Sequence, residues 1–141
     1  MPQATGNREQ GAGNTERTEN AATAIRSYRD LTVWQKSFSL ALKVYQLTST
    51  FPSTELYGLT SQMRRAAFST PANVAEGYRR RGNDYARFIR TSSGSASELE
   101  TYLLGARELK FGNQDLLLNC LQDTDEVLRM LHVLEERVRV H

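Results

Sequence analysis

Thr32-Val33-Trp34-Gln35-Lys36-Ser37-Phe38-Ser39-Leu40-Ala41-Leu42-Lys43-Val44-Tyr45-Gln46-Leu47-Thr48 is the stretch whose periodicity decides the fold. At about 100° per residue, Trp34, Phe38, Ala41, Leu42, Tyr45 and Thr48 share one helical face, and Val33, Leu40, Val44, Leu47 and Phe51 extend it sideways. The apolar arc then covers roughly 220°, whereas a one-sided surface helix shows 100° or somewhat more. Such a helix needs cover on two sides. The first set is expected to face the core of its own chain, and Val33, Leu40, Val44 and Leu47 to meet another subunit. Thr32 with Gln35 three residues on reads as a capping box, so the helix is expected from Val33 to Thr50, with Pro52 ending it.

Three more helical periods follow. Ser53 caps a second region that passes Tyr57-Gly58 and continues through Leu59, Met63, Ala66, Ala67, Thr70, Val74 and Tyr78 to Gly82. Pro71 lies inside it, removes a backbone donor and clashes with the carbonyl of Ala67, so a kink is expected there rather than a complete break. Asn83 is expected to cap a third helix, with Asp84 in its first turn, Tyr85, Phe88, Ile89, Ser92, Ala96, Leu99, Leu103 and Ala106 inward, and Lys110 and Gly112 at its close. Its run from Ser92 to Ser97, Gly94 included, is poor in bulk and is expected to permit close helix approach. Asn113 and Asp115 start a fourth, with Leu117, Cys120, Leu121, Thr124, Leu128, Leu131 and Leu134 inward. Short connections at Pro52, Gly82 and Gly112 make neighbours antiparallel. The expected fold is all-α: an up-down-up-down four-helix bundle with a Pro-kinked second helix.

Residues 1–27 are rich in Asn, Thr, Gly, Ala and Glu, with Ile25 the only large aliphatic residue after Met1. They bury too little to offset ordering entropy and read as a disordered tail, leaving residues 28–141 as the single bundle domain. No run of about 18 apolar residues exists and the N-terminus lacks signal-peptide character, so a cytoplasmic protein with no membrane association is expected. Cys120, the one cysteine, allows no intrachain disulfide and no thiolate metal cluster.

The residues offer little to a catalyst. His132 and the terminal His141 are the only histidines, and neither accompanies a plausible serine or cysteine nucleophile. His132 falls beside the core stripe of its helix, where a structural role is expected. Ser93-Gly94-Ser95 sits mid-helix without the strand-to-helix turn of a nucleophile elbow. Phosphate-loop and dinucleotide glycine patterns are absent, and so is the Glu-x-x-His pair of a di-metal bundle. No enzyme activity, cofactor or metal is expected.

Charge is unevenly placed. Residues 64–90 carry seven arginines against Glu76 and Asp84, an excess of five, while five bases face nine acids beyond residue 90. Arg79, Arg80, Arg81, Arg87 and Arg90 are expected to share one end of the bundle, where guanidinium forks match phosphate and Tyr78 and Tyr85 offer stacking surfaces. Two other readings of these charges stay open. The arginines are also what a solvated helix C-terminus favours, and Asn73, Glu76, Arg64 and Arg87 could instead form a polar network within or between subunits.

Tyr28-Arg29-Asp30-Leu31-Thr32-Val33-Trp34-Gln35-Lys36, Tyr57-Gly58-Leu59-Thr60-Ser61-Gln62-Met63-Arg64-Arg65-Ala66-Ala67, Pro71-Ala72-Asn73-Val74-Ala75-Glu76-Gly77, Tyr85-Ala86-Arg87-Phe88-Ile89 and Gly94-Ser95-Ala96-Ser97-Glu98-Leu99-Glu100-Thr101 occur in this order. On these segments the chain resembles the bacterial four-helix bundle family, also called the 23S rRNA intervening-sequence protein family. The resemblance implies a ring-like homopentamer without enzymatic activity. It also implies a relation to the accessory variability proteins of diversity-generating retroelements, basic pentamers that associate with a reverse transcriptase and nucleic acid. A homo-oligomeric scaffold is therefore expected, with RNA or DNA, and a reverse transcriptase, as partners at the arginine-rich end. The alternative is a protein-binding assembly module with no nucleic-acid role.

Overall fold

The computed structural model describes residues 24–139, and among them there is no strand. Four helices make a bundle: α1 Thr32–Thr48, α2 Ser61–Arg80, α3 Gly82–Leu109 and α4 Gln114–Val138. Each packs against the next, and α4 returns beside α1 to close the ring. One end therefore gathers the start of α1, the α2–α3 turn and the end of α4. The other end gathers the α1–α2 and α3–α4 connections.

The chain enters through a short 3-10 turn, Tyr28–Asp30, that carries its own capping box. The Ser27 hydroxyl accepts from the Arg29 amide at 3.2 Å, and the Asp30 carboxylate accepts from the Arg26 and Ser27 amides at 2.8 and 3.2 Å. The bond from the Arg26 amide, chief among the causes, holds the Asp30 carboxyl below its usual range. This box displaces the one expected at Thr32: α1 starts without a side-chain cap, and the Gln35 amide donates to the Arg29 carbonyl at 2.8 Å instead. The boundary drawn between residues 27 and 28 cuts through the box. The reading of the earlier residues as a disordered tail lies, up to residue 23, outside the described residues.

α1 corrects the sequence reading most. Val33, Leu40, Val44 and Leu47, expected to meet another subunit, are 6, 1, 0 and 0 % exposed within the single chain. They pack in the core with Met63, Leu99, Leu103, Leu117 and Leu131 and cannot be an oligomer contact. Three residues placed on the core face, Phe38, Leu42 and Tyr45, point outward at 38, 52 and 50 % exposure. Ala41 and Thr48 of the expected core face are buried at 0 and 3 % exposure, so the inward face is centred between the two sets, and Phe38, Leu42 and Tyr45 fall outside it.

Between α1 and α2 the chain runs through a 3-10 turn, Ser53–Glu55, and a π turn, Leu56–Thr60, where Gly58 leaves helical dihedrals. α2 then continues unbroken through Pro71. Proline removes the amide that the Ala67 carbonyl would have received, and the turn is braced on either side. Thr70 donates to the Ala66 carbonyl at 3.0 Å and Asn73 to the Ser69 carbonyl at 2.9 Å. Small residues do bring α2 and α3 together, through Ser92 donating to the Thr70 carbonyl at 2.7 Å and the Ser69–Ser95 hydroxyl pair at 2.9 Å. Gly94 is not part of that contact, since a Cβ there would meet nothing within 4 Å. The glycine that matters is Gly77, whose added Cβ would lie 3.0 Å from Phe88 Cβ.

At the far end Lys110 takes a left-handed conformation (φ 61, ψ 38) and the Phe111 amide reaches back to the Ala106 carbonyl at 3.0 Å, closing α3. Asn113 caps α4 through the Leu116 amide at 2.9 Å, as its position predicts, whereas Asn83, expected to cap α3, lies inside that helix, which starts at Gly82 without a side-chain cap. Along the α1–α4 seam Lys43 reaches Asn119 and Asp123 at 2.6 and 2.7 Å, and Lys36 reaches Asp123 and Glu126 at 3.3 and 3.1 Å. Burial works against the Lys36 charge, but bonds and charges from Glu126 and Asp123 outweigh it and raise its pKa above 10.5. Cys120 is buried beside them, and burial pushes its thiol up to about 11.

Candidate nucleic-acid interface

Two backbone features set the arginines at the α2–α3 turn. α2 keeps helical geometry to Arg80, and the Arg81 amide still bonds the Gly77 carbonyl at 2.9 Å. The chain then reverses through Arg81 (φ 59, ψ −167) and Gly82 (φ 54) directly into α3. The close approach at Gly77 keeps α2 and α3 together there. Arg79, Arg80, Arg81 and Arg87 therefore surround one turn, as the sequence predicts, and all four are exposed.

Their partners differ. Arg80 bonds Glu76 at 2.8 Å and lies 3.6 Å from Asp84, and its guanidinium crosses the Phe88 ring at 5.1 Å. Arg87 pairs with Asp84 at 3.3 Å and lies 4.5 Å over the same ring. Arg90, one turn further, leans to α4 and meets Glu135 at 3.2 Å. Arg79 and Arg81 sit on rings instead: Arg79 5.2 Å over Tyr28, and Arg81 4.1 Å over Tyr78 with its Nε donating to the Tyr78 carbonyl at 2.9 Å. Exposed ion pairs contribute about 0–1 kcal/mol each, so the carboxylates steady these arginines without locking them.

The stacking surfaces need correction. Tyr85 is buried edge-on against Tyr78, their centroids 6.3 Å apart, and burial pushes its hydroxyl up to about 12. It offers no face to a base. Nor do Asn73, Glu76, Arg64 and Arg87 form one network within the chain. Asn73 bonds Ser69, Glu76 bonds Arg80, Arg87 forms an ion pair with Asp84, and Arg64 donates to Thr48 at 2.8 Å while lying 3.7 Å over Tyr45. His132 is exposed on α4 rather than packed beside the core.

Two features escaped the sequence reading. Tyr28 and Arg29 belong to the arginine end, Arg29 lying 5.8 Å from the Tyr28 ring that also seats Arg79. The up-down topology carries the signal, because it puts the start of α1 beside the end of α2. The second feature is an aromatic flank on α1. Tyr28 meets Trp34 edge-on at 5.3 Å, Trp34 stacks on Phe38 at 4.9 Å, and exposed Leu42 and Tyr45 prolong the line. Phe68 of α2, also exposed, follows one helical turn after Arg64, the residue that meets Tyr45.

Among the described residues no group of three or more His, Cys, Asp or Glu converges to hold a metal ion, and no helix is long and apolar enough to cross a membrane. A family model described as 23S rRNA-intervening sequence protein matches residues 29–133, from the entry turn through most of α4. No curated protein matches the chain.

Proposed function

Since this chain belongs to the 23S rRNA-intervening sequence protein family, we propose that it is a non-enzymatic, self-assembling helical scaffold that binds nucleic acid, or a ribonucleoprotein, through its arginine-rich end. The carrying observation is the gathering of Arg79, Arg80, Arg81 and Arg87 round one exposed turn, with Arg29 and Arg90 beside them. Guanidinium groups recognise phosphate by paired N–H donors. Contacts of that kind are insensitive to base sequence and weaken steeply with salt. With no recognition-helix motif, single-stranded RNA or DNA is the ligand of choice.

Self-assembly supplies the avidity. The face that would pair is Phe38, Leu42 and Tyr45 of α1 with Phe68 of α2, an apolar surface that the single chain leaves open. A closed ring of five, the number that family resemblance implies, would repeat the arginine end five times and turn modest single sites into a multivalent surface. A cytoplasmic setting and a reverse transcriptase as protein partner complete the proposal.

Fluorescence anisotropy with a labelled single strand at about 50 and 200 mM salt tests it, comparing the wild type with Arg79, Arg80 and Arg81 changed to Glu. Binding at low salt that is lost at high salt and lost in the variant is the expected result. The pairing of Arg80, Arg87 and Arg90 with carboxylates favours one other reading, a protein-binding assembly module with no nucleic-acid role. Absence of binding at low salt would leave that module as the function.

A further inference from the structure

We infer that the phosphate-gripping unit of the arginine end is Arg79 and Arg81, with Arg29 beside them, and that Arg80, Arg87 and Arg90 serve as its frame. This rests on the reading of that end as a nucleic-acid surface and divides its arginines by what holds them.

Arg80 and Arg90 each spend an N–H donor on a carboxylate, at 2.8 and 3.2 Å, and Arg87, over the Phe88 ring, is drawn to Asp84 as an ion pair at 3.3 Å. Among the described residues no carboxylate pairs with Arg79 or Arg81. Their guanidinium groups are held by the faces of tyrosine rings, Tyr28 at 5.2 Å and Tyr78 at 4.1 Å, and Arg29 shares the Tyr28 ring at 5.8 Å. A ring face fixes the plane of a guanidinium through its π-system and takes up none of the N–H groups along its edge. Arg79 keeps its fork of donors, and Arg81 gives up only Nε to the Tyr78 carbonyl. Both are thus ordered before a ligand arrives and still able to make two parallel bonds to a phosphate.

The backbone points the same way. Arg81 adopts φ 59 and ψ −167, a region that suits glycine and strains other residues, immediately before a glycine at 82. The Arg81 side chain is exposed, and its hydrogen bond and its ring contact are both to Tyr78, at the end of its own helix. A side chain kept where glycine would be easier is explained by what that side chain does for a ligand. The ligand class is a chain of phosphodiesters: Arg79 and Arg81 lie two residues apart on one turn and would take neighbouring phosphates of a single strand.

The test uses the full chain, a fluorescein-labelled single-stranded RNA oligonucleotide in anisotropy titrations over a series of salt concentrations, and thermal unfolding by circular dichroism. Arg81→Gly is expected to weaken binding about tenfold at 50 mM salt and to lower the slope of log K against log salt by roughly 0.7, the share of one single-strand phosphate contact. Its melting temperature is expected to stay the same or rise, because glycine relieves the backbone. Arg79→Ala, on ordinary helical backbone, should give the same loss of slope. Arg80→Ala and Arg90→Ala should lower the slope by clearly less than either of these. Equal losses of slope in all four variants, or an Arg81→Gly protein that melts lower and binds as the wild type does, would overturn the division. If the wild type binds no strand at low salt, the nucleic-acid reading itself falls and takes this division with it.

Discussion

The two flanks of α1 are built from the same helix and meet opposite fates. On one side Lys36 and Lys43 arch over the seam to α4 and end on Asp123, Glu126 and Asn119, so that their stems cover apolar surface and their charges are answered inside the chain. On the other side Phe38, Leu42 and Tyr45 are exposed, Trp34 stacks on Phe38, and Arg64 lies over the Tyr45 ring with its Nε donating to Thr48. The lysine flank is complete within one chain. The aromatic flank is left open by the single chain, and in the assembly proposed above a second copy would cover it.

The largest effect that sharpens the contrast is expected between the flanks, on the ridge facing inward. Leu47→Ala removes a fully buried side chain and should cost about 2–5 kcal/mol in urea unfolding, independent of protein concentration. Leu42→Ala, half exposed, should act through association instead, so that its cost grows with protein concentration and fades on dilution. Equal, concentration-independent losses at both positions would erase the distinction between the flanks.

A smaller effect belongs to the lysine flank. Asp123→Ala takes the shared carboxylate from Lys36 and Lys43, both about one-third exposed and able to turn to water, so the expected loss is about 1–2 kcal/mol. In thermal unfolding that is a fall of roughly 3–8 °C, with oligomeric state unchanged. A change of assembly in this variant would show that the flank does more than close its own chain.

The smallest is a matter of pH. The Lys36 pKa is raised in the folded chain, so the stability it lends is fully present below pH 10.5 and is lost as pH rises through the folded value. The stability gap between wild type and Asp123→Ala should accordingly be constant from pH 7 to 9 and narrow above 10.5. A gap that widens in alkali would mean that the lysine is held as a neutral amine.

Much of the fold was legible in the sequence. Four helical periods, Asn113 as a cap and the stops near Gly82 and Gly112 follow from propensity and spacing. The orientation of α1 was not, because an arc of some 220° has no unique centre and the rings of Trp34, Phe38 and Tyr45 draw the eye to their own side. Lysines read as solvent markers, yet here Lys36 and Lys43 rest at the core's edge, which turns the helix toward them. The arginine end was legible as a group of residues, since sequence adjacency and an antiparallel turn suffice to collect Arg79 to Arg87. The partners that divide the group were not: Glu135 lies 45 residues from Arg90, and Tyr28 joins Arg79 across the bundle.

The central claim is that the aromatic flank is where one copy meets the next, and native mass spectrometry at micromolar concentration tests it most directly. The wild type should appear as a closed assembly of five chains. Phe38→Asp with Leu42→Asp should appear as a single chain with unchanged helical circular dichroism, because neither side chain supports the core of its own bundle. A wild type that stays monomeric, or a variant that is still assembled, would contradict the account.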